Sequence, residues 1–322
     1  MNEMRASFCL PKPLVLITDC DHPDIDAERA IFAAAGLDVS LANCRTEDDV
    51  LAAGIDAVAL LVQYAPISAR VLAGLDRCQV VGRYGTGLDV IDVSAARARG
   101  IEVIGVPDYA LQEVSDHTIA LVLALCRGIV AYHSAVRSGR WNMREAGAVR
   151  RLSSLRLGVI GLGRIGRLVA AKAAALNFEV VGYDVVPPVG DDVRLLSFEE
   201  LLSTSDVVTL HVPLTSETRH LIDASRLALM RRTAVLVNTS RGGLVDQAAL
   251  AQALAEGRLG GAGLDVLELE PLDSGDPLLC EERVILTPHV AFYSEESLLE
   301  LNRRAAENIV EALFNRGGPR DR

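Results

Sequence analysis

The sequence predicts an α/β protein built from two doubly wound parallel-sheet domains. Three observations carry this reading. Both halves of the chain run as strands and helices in strict alternation, a pattern that puts a parallel sheet under helices on both faces. A strand, a glycine turn of spacing G-x-G-x-x-G and a helix follow one another over residues 155–176. The length, 322 residues, exceeds one core of ordinary size and suits two domains.

In the first half, residues 14–18 (Leu-Val-Leu-Ile-Thr) form an apolar run that ends at Asp19. Residues 26–36 read as helix, 38–42 as strand, 47–53 as helix and 57–62 as an apolar strand. Pro66 is expected at a helix start, where its missing N–H costs little. Residues 79–82 are a further strand, 93–99 a helix and 101–104 a fifth strand. After Pro107 one long helical stretch is predicted over 112–138, apolar through 119–125, as the connector into the second domain. Residues 139–151 form an arm of mixed polarity with the only tryptophan, Trp141. That aromatic is either local core or the anchor of a second copy.

The second half opens on the glycine stretch. Leu155, Leu157, Val159 and Ile160 suit a buried strand, and residues 168–176 are strong helix formers. Gly161 permits a tight turn, Gly163 lets a pyrophosphate approach bare backbone, and Gly166 lets the helix pack on the strand. The helix N-terminus offers N–H groups and a positive dipole end to phosphates. The strand over 178–183 ends at Asp184, 18 residues beyond Gly166, near the spacing of an acid that binds a ribose 2′-hydroxyl. With strand, helix and acid in place, the stretch reads as the dinucleotide site of a Rossmann domain. Strands follow at 206–212, 234–238, 263–266 and 284–287, helices at 225–231, 247–256 and 295–314. In such sheets ligands sit beyond the carboxyl ends of the strands, here expected in a cleft between the domains.

Composition narrows the partners. Half the residues are hydrophobic and 23% charged, which is ordinary for a globular protein. Lys and Arg number 32 against 43 Asp and Glu, a net charge of -11 that disfavours nonspecific contact with nucleic acid or anionic membrane. The first residues carry an early acid and no long apolar core, and no apolar run approaches a membrane span. Six scattered cysteines without C-x-x-C fit reduced structural thiols, so a cytoplasmic protein with no metal is expected.

Three side chains each follow the carboxyl end of a predicted strand: Arg241, Glu270 and His289. Singly, an Arg is usually a surface charge, a Glu before Pro a loop cap and a lone His structural. Together, at three strand ends of one dinucleotide fold, they point to a catalytic site.

The segments Gly-Leu-Gly-Arg-Ile-Gly (161–166), His-Val-Pro-Leu-Thr (211–215), Val-Asn-Thr-Ser-Arg-Gly-Gly-Leu-Val-Asp (237–246), Gly-Leu-Asp-Val (263–266), Glu270-Pro271 and Leu-Thr-Pro-His (286–289) resemble the D-isomer-specific 2-hydroxyacid dehydrogenase family. The similarity spans nearly the whole chain in the family's order. Within the family, residues 81–89 and 289–294 look most like bacterial relatives of the C-terminal-binding proteins, though Phe292 stands where those proteins carry Trp.

The resemblance implies a flavodoxin-like substrate domain of residues 1–107 plus 292–322 and an NAD-binding Rossmann domain of residues 108–291. It implies hydride transfer between NAD(H) and a small 2-oxo or D-2-hydroxy acid, in a homodimer. Arg241 would bind the substrate carboxylate with its planar fork, His289 would be the acid–base group, and Glu270 would hydrogen-bond the imidazole. Arg164 and Ile165 would offer N–H groups to the pyrophosphate and Asp184 would hold the adenosine ribose. A carboxylate repels a 2′-phosphate, and residues 185–188 supply no compensating cation, so NAD is expected over NADP. His211, Val212, Pro213, Thr218, Thr239, Ser240 and Asp265 would flank the cofactor, with Thr86 and Thr118 as weaker phosphate contacts. Backbone N–H groups at Tyr84 and Gly85 would form an anion-binding turn, and Tyr64, Arg83 and Phe292 would line the substrate pocket. Two other readings stay open: a phosphite-type dehydrogenase, and a dinucleotide-sensing, corepressor-like binding protein. Glu270 disfavours formate oxidation, whose similar enzymes carry Gln there.

Overall fold

Short apolar runs separated by amphipathic segments build one parallel sheet in each half of the chain. The computed structural model describes residues 12–22, 24–186 and 193–315. The chain divides into two units, one reaching to Tyr109 and resuming at Ser294, the other spanning Ala110–Tyr293.

In the first unit, β1 (Leu14–Ile17), β2 (Asp38–Leu41), β3 (Ala57–Val62), β4 (Val80–Arg83) and β5 (Glu102–Ile104) pair in parallel in the order β2-β1-β3-β4-β5. That is the flavodoxin-like order. All six residues of β3 are buried, as a central strand covered on both faces requires. Helices α1 (Asp26–Ala34), α2 (Glu47–Gly54), α3 (Ala69–Gly74) and α4 (Val93–Ala98) connect the strands. The C-terminal helix (Glu295–Asn315) packs on β4 so closely that a Cβ at Gly82 would lie 2.7 Å from Ile309. Pro66 does not start a helix. Ile67 pairs with Ile91 in an isolated bridge, and Ser68 caps α3 through the Val71 N–H.

The second unit begins with α5 (Leu111–Cys126) and α6 (Ile129–Arg137). The single helix expected over 112–138 is therefore two, bent by 59°. Gly128 is the cause: its φ is +61°, a left-handed geometry that terminates α5, and a Cβ there would lie 2.3 Å from that of Ala146. The sheet comprises β6 (Arg156–Ile160), β7 (Glu179–Tyr183), β8 (Arg194–Leu195), β9 (Val207–Leu210), β10 (Val235–Asn238), β11 (Gly261–Leu264) and β12 (Val284–Leu286). Between them lie α7 (Arg164–Ala175), α8 (Phe198–Thr204), α9 (Ala224–Leu229) and α10 (Gln247–Ala255). The order β12-β11-β10-β9-β6-β7-β8 is the Rossmann order, reversing between β6 and β9. The buried Asp206 carboxylate ties the end of the arm to this sheet: it accepts from Arg150 (2.8 Å), Arg231 (3.1 Å) and the Arg156 N–H (2.9 Å).

Among the described residues, the buried Glu28 carboxyl of the first unit has no ion-pair partner. Glu28 on α1 accepts the Tyr84 hydroxyl at 2.6 Å, and its other oxygen has no hydrogen-bond partner among the described residues. Burial pushes its pKa up, against the smaller pull of the Tyr84 bond. A raised folded value means that Glu28's contribution to stability is complete below the unfolded carboxyl pKa and is lost as pH rises through the folded one. Glu28→Gln should therefore unfold at or above the wild-type temperature at about pH 8, with that advantage shrinking as pH falls toward about 4. Thermal melts across that range check this; a difference independent of pH would contradict it.

Candidate active site

The glycine turn lies at the reversal point of the second sheet. Gly161 has φ +91°, and a Cβ there would stand 2.5 Å from the His211 carbonyl oxygen. At Gly166 a Cβ would stand 1.9 Å from the Gly161 oxygen, so α7 rests directly on the turn. Gly163 differs: among the described residues no heavy atom comes within 4 Å of a Cβ built there. The first and third glycines are demanded by the chain's own packing. The second leaves an open cradle before Arg164 and Ile165, the first two residues of α7, at the end of the helix where the dipole is positive. A pyrophosphate fits that cradle. Asp184, just past β7, accepts the Leu162 N–H at 2.7 Å and the Val186 N–H at 3.0 Å, so the acid that would hold the ribose also braces the turn. Pro187 and Pro188 lie outside the described residues. His211 is pushed down to about 3 by burial and is neutral, with Nε2 3.0 Å from the Thr209 hydroxyl.

The three candidate catalytic residues come from neighbouring strands, because β10, β11 and β12 are adjacent in the sheet. After β10, the Asn238 side chain closes a loop on itself, donating to the Arg241 carbonyl (2.8 Å) and accepting from the Ser240 N–H (3.0 Å). Within that loop the Arg241 guanidinium donates to the Ser240 carbonyl at 2.7 Å. At Gly242 a Cβ would stand 1.9 Å from both the carbonyl carbon and oxygen of Leu267, so the Arg241 loop lies flat on the loop that carries Glu270. Glu270 accepts the Leu267 N–H through Oε1 at 2.8 Å and meets His289 Nδ1 through Oε2 at 2.7 Å. His289, two residues past a β12 bond at Thr287, has a left-handed φ of +54°. The Phe292 ring stands edge-on to the imidazole, 6.5 Å between centroids. Burial raises the Glu270 pKa, but the bonds from His289 and Leu267 and the charges of His289 and Arg241 outweigh it and hold the carboxyl below its usual range. Arg241, Glu270 and His289 thus form one electrostatic group.

Several expected cofactor contacts have other partners. Asp265 is buried, and its carboxylate accepts from Thr287 (2.6 Å), Val290 N–H (2.9 Å) and Ala291 N–H (2.9 Å). It holds the His289 loop in place, a duty invisible in a linear motif. Thr118 is fully buried: its hydroxyl donates to the Val114 carbonyl and meets Thr239 at 2.8 Å, which removes it as a phosphate contact. Ser240 donates to Leu210 O (2.7 Å), and Thr218 to Pro213 O (2.7 Å) next to Val212. These hydroxyls fix loops. His117 on α5 was not anticipated. Its Nε2 lies 3.0 Å from the Thr287 hydroxyl, which already donates to Asp265, so Nε2 is the donor.

In the first unit the anion-binding turn expected at Tyr84 and Gly85 is not available. The Tyr84 N–H donates to Val62 O and the Gly85 N–H to Arg83 O, each at 2.9 Å, while the Tyr84 ring is buried on Glu28. The Thr86 hydroxyl donates to Val106 O at 3.2 Å. Arg83 lays its guanidinium across Gly85, where a Cβ would fall 2.0 Å from Nη1. Tyr64 is half-exposed, donates to Asp21 at 3.1 Å and is pushed up to about 12 by burial and by the Asp21 charge.

A Rossmann sheet with an open phosphate cradle, and a histidine–glutamate pair beyond its strand ends, defines a nicotinamide-dependent dehydrogenase. Residues 119–291 match the family described as "D-isomer specific 2-hydroxyacid dehydrogenase, NAD binding domain". A glycerate dehydrogenase of Methylorubrum extorquens is 40% identical over 257 residues, 77% of this chain and 80% of that protein. A glyoxylate reductase of Korarchaeum cryptofilum is 40% identical over 259 residues, 78% of this chain and 77% of that protein. The solved D-lactate dehydrogenase of Aquifex aeolicus, complexed with NAD and lactic acid, superposes with a TM-score of 0.85 at 31% identity, over 94% of this chain and 96% of that one. The chain belongs to the D-isomer-specific 2-hydroxyacid dehydrogenase family and binds NAD.

The contrast between the glycines is testable. Gly163→Val should fold with an unchanged melting temperature yet bind NADH at least about tenfold more weakly, because the side chain fills only the cradle. Gly166→Ala should lower the melting temperature as well, because its Cβ has no room. NADH fluorescence titration beside thermal melts separates them, and equal behaviour of the two variants would refute the distinction.

Proposed function

We propose that the protein interconverts a small 2-oxo acid and its D-2-hydroxy acid, with His289 as the acid–base group. The observation that carries this reading is the His289–Glu270 bond. Glu270 takes the Nδ1 side of the ring, which leaves Nε2 as the nitrogen that exchanges a proton with substrate. NADH, when bound, supplies the hydride. In the direction of reduction, His289 gives its Nε2 proton to the oxygen at C2; in oxidation it takes that proton back. Glu270, ionised, stabilises the imidazolium that gives the proton in reduction and forms in oxidation. Arg241 binds the substrate carboxylate, and its guanidinium is oriented by the Ser240 carbonyl. Phe292 gives the pocket an apolar wall beside the imidazole.

The relatives' names suggest the acids to try first: glyoxylate, hydroxypyruvate (the oxo form of glycerate) and pyruvate, each with NADH and followed by absorbance. Phosphite with NAD is a further arm. Turnover of at least one 2-oxo acid is expected, and His289→Asn should lower kcat by at least about 100-fold, in line with loss of a general acid–base group. Tight NADH binding without turnover of any acid would favour the sensor reading, and near-normal kcat in His289→Asn would remove the acid–base role.

We also propose a homodimer. Ile129, Val130 and Val136 on α6, with Trp141 and Met143 on the arm, are exposed in the single chain, and large apolar groups gathered in this way mark association surfaces. Light scattering should give twice the chain mass for the wild type and the chain mass for Trp141→Glu. A wild type at the chain mass would refute the dimer.

A further inference from the structure

The loop after β11 carries two carboxylates at alternate positions. Glu270 holds His289; Glu268 hydrogen-bonds a second imidazole, that of His220. The second pair takes no part in the chemistry set out above. We propose that His220 and Glu268 are positioning residues. Their hydrogen bond braces the loop that leaves β9, residues 211–220, to the loop that presents Glu270, and so keeps cofactor seat and acid–base pair in one register. The proposal rests on His289 being the acid–base group.

Both ends of the brace are anchored. His220 holds a left-handed φ of +52° and donates its N–H to Gly243 O at 2.8 Å, one residue past the Gly242 contact. Upstream of His220 the loop is drawn tight: Thr218 donates its hydroxyl to Pro213 O and accepts the Thr215 N–H, both at 2.7 Å. A shift at His220 is therefore carried to Pro213. On the other side, the Glu268 N–H donates to Gln247 Oε1 at 3.1 Å, and Gln247 Nε2 donates to Asp276 at 2.6 Å. Between the two carboxylates Leu269 is 66% exposed. Residues 268–270 are thus not held by burying an apolar side chain; they are held by what their carboxylates and N–H groups bond. The pair itself is partly solvated, with side chains 40% and 31% exposed. Such pairs add little to global stability, so its loss should be felt in geometry rather than in melting temperature.

The test uses Glu268→Ala, His220→Ala, the double variant and Glu268→Gln, the last keeping an acceptor for the imidazole. Three quantities are read: NADH affinity by fluorescence, kcat with the best 2-oxo acid, and melting temperature. Each single alanine variant should bind NADH about fivefold more weakly and lose about tenfold in kcat, with the melting temperature within about 2 °C of wild type. The double variant should be no worse than either single one, as residues acting only through each other require, and Glu268→Gln should recover most of both losses. NADH affinity and kcat within twofold of wild type in both single variants would overturn the brace. So would losses that multiply in the double variant, or a large fall in melting temperature with kcat per bound NADH unchanged. In a His289→Asn background, Glu268→Ala should still weaken NADH but leave the residual rate where it is. A normal rate in His289→Asn alone would count against the acid–base assignment, and the NADH arm would still judge the brace.

Discussion

A single buried carboxylate, Asp265, sets the shape of the strand ends from which the candidate site is built. An ionised carboxyl away from water is tolerated only when its lone pairs are filled. Three donors fill them: the Thr287 hydroxyl and the N–H groups of Val290 and Ala291. The Asp265 backbone carbonyl also accepts the His289 N–H at 2.8 Å. The residues on both sides of His289 are therefore tied to one group, and the loop cannot drift without stranding a charge. This arrangement maintains the positive φ of His289, a conformation that costs a non-glycine residue energy unless its surroundings insist on it. His117 extends the tie to α5 through Thr287.

Close backbone contact does the rest. Gly242 presses the Arg241 loop on the loop of Glu270, and Gly166 presses α7 on the turn at Gly161. Side chains between these segments would separate the guanidinium from the carboxylate, and the helix N-terminus from the cradle. Rigid support beneath and an open cradle at Gly163 amount to preorganisation: polar groups are in place before a ligand arrives, which is how an enzyme site gains strength from ordinary hydrogen bonds.

Much of this was legible in the chain itself. The glycine turn announces its geometry because each glycine answers a steric demand local to ten residues. Arg241, Glu270 and His289 could be picked out because strand ends are legible and ligands gather there. What was not legible depends on distant partners. The roles of Asp265 and of His117 are set across intervals of 22 and 170 residues from Thr287. Thr118 faces the interior because of its register on α5, and Tyr84 because Glu28 waits for its hydroxyl. The break at Gly128 was hidden because an isolated glycine inside an apolar helical pattern is usually tolerated, and only Ala146, 18 residues on, reveals the close approach. Likewise the two residues of β8 pair with β7 too briefly to leave a periodic signal.

That break at Gly128 directs α6 and the following arm away from the line of α5, and it leaves the sole tryptophan at 87% exposure. The optical consequence is unusual for a protein of this size. In the single chain the indole stands in solvent and has almost no red shift left to undergo on unfolding, so a shift in its emission reports what covers the arm rather than either core. Tyrosine absorbance follows the cores instead, with buried Tyr84 reporting from the first unit and Tyr183 from the second.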